Sequence, residues 1–237
     1  MAFHGIGTLA NLATVLAGGL FGVVLGNRLP EKMAGITMQC VGLATVVVGL
    51  QMAWQADTGA RFIAVLVSLV IGSWIGEAAS IEDRLNAAGE RLKARFGAGG
   101  VRGDFTRGFV TASLLFCVGP MTVLGSLQDG LRGDPTLLLT KSALDGISAV
   151  ALAAGLGPGV LFSSLTILIY QGGLTLLAGA ARQFLTDPVV VLLTASGGLM
   201  ILGIGLNILQ VARLRVANML PGLAIAAFAG LAFGRLI

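Results

Sequence analysis

Eight runs of roughly twenty predominantly apolar residues follow one another along this chain, at 7–26, 33–54, 61–79, 107–127, 136–156, 158–181, 188–210 and 217–235. A run of that length, coiled at about 1.5 Å per residue, matches the hydrocarbon thickness of a bilayer. Within lipid the backbone must satisfy its own polar groups, which makes each such run a helix. Charged residues are only 11% of the 237 positions, against roughly a quarter in soluble domains. The 36 glycines suit helices that approach one another closely. The expected fold is therefore an all-α polytopic membrane protein, a single transmembrane domain over 1–237 with about eight transmembrane helices. The breaks between runs carry turn chemistry, as in Asn27-Arg28-Leu29-Pro30, Gln55-Ala56-Asp57-Thr58-Gly59, Gly155-Leu156-Gly157-Pro158 and Thr186-Asp187-Pro188. The start of the chain lacks the basic region of a signal peptide, so the first run is read as a retained span.

One polar segment, 80–106, separates the third and fourth runs. Its apolar residues Ile81, Leu85, Leu92 and Phe96 share one side of a helix, which suits a segment lying on the membrane surface. Gly97 to Gly103 reads as a flexible linker. The formal charge of +4 reflects topology rather than nucleic-acid binding, because most basic residues fall on one side of the bundle. That side holds Arg28, Lys32, Arg84, Arg91, Lys93, Arg95, Arg102, Arg107, Arg213 and Arg215; the other holds Arg61, Arg132, Arg182 and Arg235. Basic loops stay in the cytoplasm. Segment 80–106 is expected there, and both termini outside.

The chain also repeats itself. Val41-Gly42-Leu43 and Gly49-Leu50-Gln51 match Gly197-Gly198-Leu199 and Gly205-Leu206-Asn207 at identical spacing. Gly18-Gly19-Leu20 matches Gly172-Gly173-Leu174, Arg61 matches Arg215, and Ser68, Gly72 and Gly76 match Gly222, Ala226 and Gly230. A first helical triplet (7–79) thus resembles a second (158–235), with a polar hairpin (107–156) inserted between them. Five spans separate corresponding elements, so the triplets enter the membrane from opposite sides, the inverted-topology arrangement of secondary transporters. Dense glycine packing in unrelated helices gives similar matches.

Ionisable residues inside lipid are costly and mark candidate sites. Here they concentrate in the hairpin. Lys141 and Asp145 lie four apart on one helix face, where they can pair; the pair either neutralises itself for insertion or binds a cation or proton in alternation with the salt bridge. Asp129, beside Gln128, is either a cavity residue or a loop residue at the membrane surface. Asn11, Gln51, Gln171 and Asn207 are amides within spans, suited to bonding a substrate or one another. Gly119-Pro120 removes a backbone donor and predicts a kink or break in the fourth span. Glu77 is expected at the cytoplasmic interface and His4 at the outer one.

Other chemistries are set aside. Cys40 and Cys117 fall in apolar runs and are expected to be buried thiols. They form no Cys-x-x-Cys pair, so no zinc or iron–sulfur spacing exists, and whether any metal binds stays open. No Gly-Lys-Ser/Thr phosphate loop is present. A Ser–Lys hydrolase built on Lys141 with Ser142 or Ser113 is opposed by Asp145, which keeps Lys141 charged. No enzymatic activity and no cofactor are expected.

Leu114-Leu115-Phe116-Cys117-Val118-Gly119-Pro120-Met121, Gly125-Ser126-Leu127-Gln128-Asp129-Gly130, Leu139-Thr140-Lys141-Ser142 with Asp145-Gly146, and Gly197-Gly198-Leu199 through Gly205-Leu206-Asn207 together resemble the bacterial membrane family called domain of unknown function 554, the YqgA/YdfK type. The resemblance runs nearly end to end, from Gly7-Thr8-Leu9 to Asn218-Met219-Leu220-Pro221. It implies a bacterial inner-membrane protein and supplies no mechanism. The residues themselves point to a secondary transporter or channel for a small polar solute or ion. The alternative is a non-transporting scaffold or signalling protein acting through partners. The expected partners are the lipid bilayer, the solute or ion, and a second copy through the Gly-rich faces.

Overall fold

A computed structural model describes residues 5–96, 103–181 and 184–234. His4, Arg182, Arg235 and the 97–102 part of the expected linker, with Arg102, lie outside the described residues. The elements are α1 (Ile6–Arg28), α2 (Glu31–Ala53), α3 (Gly59–Ala78), α4 (Ile81–Phe96), α5 (Phe105–Cys117), α6 (Pro120–Arg132), α7 (Thr136–Leu156), α8 (Gly159–Leu176), α9 (Ala178–Ala181), α10 (Asp187–Ile208), a 3₁₀ turn (Val216–Met219) and α11 (Pro221–Phe233). Among the described residues there is no strand.

All six prolines open a helix: Pro30, Pro135 and Pro158 immediately precede one, and Pro120, Pro188 and Pro221 occupy a first or second position. There a missing N–H costs nothing, since the first helical donors have no intrahelical partner. Thr58 caps α3, its hydroxyl accepting from the Arg61 N–H at 3.3 Å. The distribution of polarity is that of a protein dissolved in lipid: Ile147 and Ile169 are 70% and 68% exposed, whereas Asn11 and Gln171 are 0% exposed.

The chain forms two compact units. The first comprises residues 1–41, 86–117 and 121–181; the second comprises 42–85, 118–120 and 182–237. In the first unit α1 and α7 pack side by side and parallel. Gly18, Gly22 and Gly26 lie directly on the carbonyls of Gly146, Val150 and Ala154, one glycine per turn against one carbonyl per turn. Any side chain at these positions would separate the helices. α8 runs antiparallel to α1, with Thr8 beside Thr175 at one end and Gly19 beside Leu161 at the other.

α5 and α6 meet at a bend of 60°, at the Gly119-Pro120 break expected in the fourth span, though the two helices reach beyond 107–127. The cause is local. Pro120 cannot donate to the Phe116 carbonyl one turn back, and the Thr122 hydroxyl donates to that carbonyl instead, at 3.0 Å. The pair still crosses the bundle. α5 starts where α7 ends and α8 begins, with Phe105 against Gly159 and Gly108 near Leu156. α6 ends at the opposite extreme, where the Gly7 N–H donates to Asp129 and Gly130 lies on the Thr175 carbonyl. It is one broken span, not a re-entrant loop. The parallel course of α1 and α7 agrees, because the first and fifth of eight crossings share a direction.

In the second unit α2 and α10 are antiparallel. Gly42 faces Leu209, Gly205 faces Val46, Gly49 faces Leu202, and Gly198 faces Ala53. α3 and α11 are antiparallel too, with Gly72 on Gly222 and Gly76 on the Asn218 carbonyl. These seams are nearly backbone-to-backbone. Cys40 corrects an expectation: Cys117 is buried, but Cys40 is exposed on α2. An apolar run need not be buried in protein when lipid covers it.

Candidate functional site

The first unit holds a polar network at the junction of α1, α6, α7 and α8. At its centre is Asn11. Its amide Nδ2 donates to Asp145 Oδ2 at 3.0 Å and to Gln171 Oε1 at 2.9 Å. Lys141 Nζ donates to the same Asp145 Oδ2, so one carboxylate oxygen serves an ammonium from its own helix and an amide from another. Gln171 Nε2 donates to Thr8 Oγ1 at 3.2 Å. Thr175 Oγ1 donates to the Gln171 backbone carbonyl at 3.0 Å, which leaves Thr8 as the donor in the 3.3 Å contact between the two threonine hydroxyls. Asp129 Oδ2 accepts from the Gly7 N–H at 3.0 Å, an orphan donor of the first turn of α1.

Helical spacing explains why these groups meet. Thr8 and Asn11 are three apart on α1, Gln171 and Thr175 four apart on α8, and Lys141 and Asp145 four apart on α7, so each helix presents two polar groups on one face. Glycines allow the faces to close. A Cβ at Gly7 would fall 2.5 Å from Leu138 Cβ, and one at Gly125 would fall 2.7 Å from Leu138 Cδ2.

The network is sealed. Asp129 and Asn11 are 0% exposed, Lys141 5% and Asp145 9%; of the two placements open to Asp129, the structure shows the interior one. The network is also incomplete. Asn11 spends both amide hydrogens, and its carbonyl oxygen, Oδ1, has no hydrogen-bond partner among the described residues; the hydroxyl of buried Ser126 has none either. Turning the amide over would set its oxygen against Asp145 Oδ2 and Gln171 Oε1, so the network itself fixes the orientation.

Of the residues singled out in the sequence, Asn11, Asp129, Lys141, Asp145 and Gln171 come together here. Gln128 is exposed on the opposite side of α6. Gln51 is exposed near the end of α2. Asn207, in the second unit, clamps a loop: Nδ2 donates to the Leu214 carbonyl at 2.8 Å, and Oδ1 accepts from the Leu214 N–H at 2.7 Å. Thr8, Thr175 and Ser126 were passed over. The three- and four-residue spacing to Asn11, Gln171 and Asp129 was the signal that could have found them.

In the second unit Arg61 pairs with Asp57 at the start of α3, and a larger charged cluster sits at an exposed corner beyond its end. Arg215 pairs with Glu77 and, through Nη2, with both carboxylate oxygens of Asp83 at 2.9 Å. Asp83 raises the pKa of Arg215, mainly by hydrogen bonding. Asn218 bridges Glu77 and the Glu82 N–H. Burial pushes the Glu82 carboxyl above its usual value, although its hydrogen bond from the Ala217 N–H opposes this. Separately, the first unit has a groove of about 730 Å³ lined by Arg91 and Leu92 of α4, Phe109 of α5, and Leu165, Tyr170 and Leu174 of α8, among others. It is almost wholly apolar and includes no member of the network.

Comparison with known proteins gives the same class. The chain is 32% identical to the uncharacterized membrane protein YdfK of Bacillus subtilis (strain 168) over 220 residues, covering 92% of this chain and 93% of YdfK. It is 31% identical to the uncharacterized protein YqgA of Escherichia coli (strain K12) over 224 residues, covering 93% and 94%. No solved structure matches it. The family model described as "Protein of unknown function (DUF554)" matches residues 6–230, and this chain of seven to eight candidate membrane spans, 31–32% identical to two of its relatives over nearly its full length, thus belongs to the DUF554 family.

Proposed function

We propose that this protein is a secondary transporter or channel for a small polar solute or ion, with the junction around Asn11, Lys141 and Asp145 as its binding site. The observation that carries the reading is the incompleteness of the network. Leaving a polar atom without a partner in lipid costs up to several kcal/mol. A network that only glued helices together would be expected to close on itself, whereas this one leaves Asn11 Oδ1 without a partner among the described residues. The broken α5–α6 span packs onto the same junction, as transporter sites at discontinuous helices do. In this reading the sealed structure is a closed state, and opening exposes the network to one side.

The inverted repeat is part of the proposal and has contact-level support. Gly42 stands to Gly198, and Ala53 to Leu209, as Val41 stands to Gly197. The contact Gly42–Leu209 is then the counterpart of Gly198–Ala53, and Val46–Gly205 that of Leu202–Gly49. Each matched pair of spans, α1 with α8, α2 with α10 and α3 with α11, packs antiparallel. The basic-residue count supports the inner membrane of a bacterium, with both termini outside. A non-transporting scaffold is favoured by one observation, that most members of the network are already paired. Purified protein in liposomes, assayed for uptake of amino acids and inorganic cations, separates the two readings. Transport predicts saturable flux that Asp145→Asn abolishes while expression and folding persist; a scaffold gives no flux for any solute.

A further inference from the structure

We infer that the junction binds a small monovalent cation, with Asn11 Oδ1 as a ligand and the Lys141 ammonium as its built-in competitor for Asp145. This deepens the transport reading and rests on it for the location of the site.

The argument begins with what the network has left to offer. Asn11 has committed both N–H groups, one to Asp145 and one to Gln171, so the atom it holds in reserve is an acceptor, fully buried and without a partner among the described residues. Asp145 Oδ2, bonded to the Nδ2 of the same amide, accepts from two donors, and Asp129 brings a second carboxylate to the same helix junction. An anion placed here would meet carboxylate and carbonyl oxygens in a low dielectric, with the one ammonium already engaged. A cation meets an amide oxygen and carboxylate oxygens, the ligands of hard cations, and a monovalent one takes the place of the single ammonium charge on Asp145.

Lys141 explains how such a site can be stable while closed. Its Nζ sits on Asp145 where an incoming cation would otherwise go, tethered by its own helix four residues away. The salt bridge and the bound ion are then mutually exclusive occupants of one carboxylate. Arrival of the ion releases the ammonium, and departure restores it. Because a buried ion pair is held weakly relative to the cost of breaking it on one side only, exchange of one cation for another avoids ever leaving Asp145 bare.

The test is thermal unfolding of the purified protein in neutral detergent. LiCl, NaCl, KCl and NH₄Cl are compared with N-methylglucamine chloride at equal ionic strength and pH. At about a hundredfold excess over its dissociation constant, the bound ion should raise the midpoint by roughly 5 °C or more, saturably. Asn11→Ala should abolish the rise. Lys141→Met should lower the half-saturating concentration by at least about tenfold, since removing the competitor leaves Asp145 dependent on the ion. Identical midpoints in all five salts, or a rise that Asn11→Ala retains, overturn the inference. Should Asn11→Ala not fold, Lys141→Met decides alone: tighter binding, or folding only in the presence of the ion, supports competition, and an unchanged half-saturation overturns it. A cation-dependent midpoint without flux in liposomes retires transport and keeps the site; flux that ignores every cation retires the site and keeps transport.

Discussion

The two units are made of similar helices and use them differently. The second packs glycine against backbone; among the described residues its buried polar side chains are hydroxyls and Asn218, and its ion pairs lie towards the ends of α3, largely exposed. The first uses the same glycine seams to press α1 onto α7, yet encloses Lys141, Asp145 and Asp129. Both solve the packing problem of helices in lipid, where small residues and close approach replace the hydrophobic effect. Only the first adds charge to its interior, at a cost that packing alone would not require. The difference suggests that the second unit is framework and the first holds the working part.

The strongest way to break this comparison is through the seam both units share. Gly22→Leu would drive a side chain into the Val150 carbonyl and Ala153, and a destabilisation of about 3 kcal/mol or more is expected. Gly49→Leu, against Leu202 in the second unit, should cost as much. Gly173→Leu, with nothing within 4 Å of its missing Cβ, should be close to neutral. Size-exclusion profiles and unfolding midpoints of the three variants check this. Equal tolerance at all three sites would show that the seams are looser than the carbonyl contacts imply.

Next in size are the charges. Lys141→Met leaves Asp145 without its ammonium, and the loss of one partner of a buried pair typically costs about 3–5 kcal/mol. Asp145→Asn should be milder, because the new amide oxygen can still accept from both Asn11 and Lys141. Exchanging the two charges should recover much of the stability. Flux should stay lost after the exchange, since Asn11 donates to whatever stands at 145 and would then face an ammonium. Full flux in the exchanged protein would reduce the pair to a device for membrane insertion.

A smaller effect sharpens the contrast from the other side. Ser126→Ala removes a buried hydroxyl that has no partner among the described residues, so stability should hold or rise by about 1 kcal/mol. A drop of that size would mean that the hydroxyl is bonded in the functioning protein.

The smallest expected effect is at the exposed corner of the second unit. The carboxyl of Glu82 is raised by burial above its unfolded value, so the folded protein holds that proton more tightly. Its contribution to stability is therefore full below the unfolded value near 4.5 and is lost as pH rises towards the folded one. Glu82→Gln should flatten that weak decline in the unfolding midpoint and leave flux unchanged. A strong effect on flux would move part of the working machinery into the second unit.

The sequence by itself determined the class and the place of the break, because each rests on local rules. Twenty apolar residues must be helix in lipid, and Pro120 must cost the Phe116 carbonyl its donor wherever the chain goes. It also paired Lys141 with Asp145, since the two are neighbours on one turn. Tertiary structure alone decided which amides join them. Asn11, Gln51, Gln171 and Asn207 look alike in sequence, each a polar residue within an apolar run. Asn11 and Gln171 were brought together by the antiparallel packing of α1 and α8, Gln51 faces outward, and Asn207 closes a loop. Helical periodicity fixes which residues share a face, but the partner that face meets depends on close approach between distant segments. Here glycines such as Gly7, Gly22 and Gly125 decide it, by having no side chain to hold the helices apart.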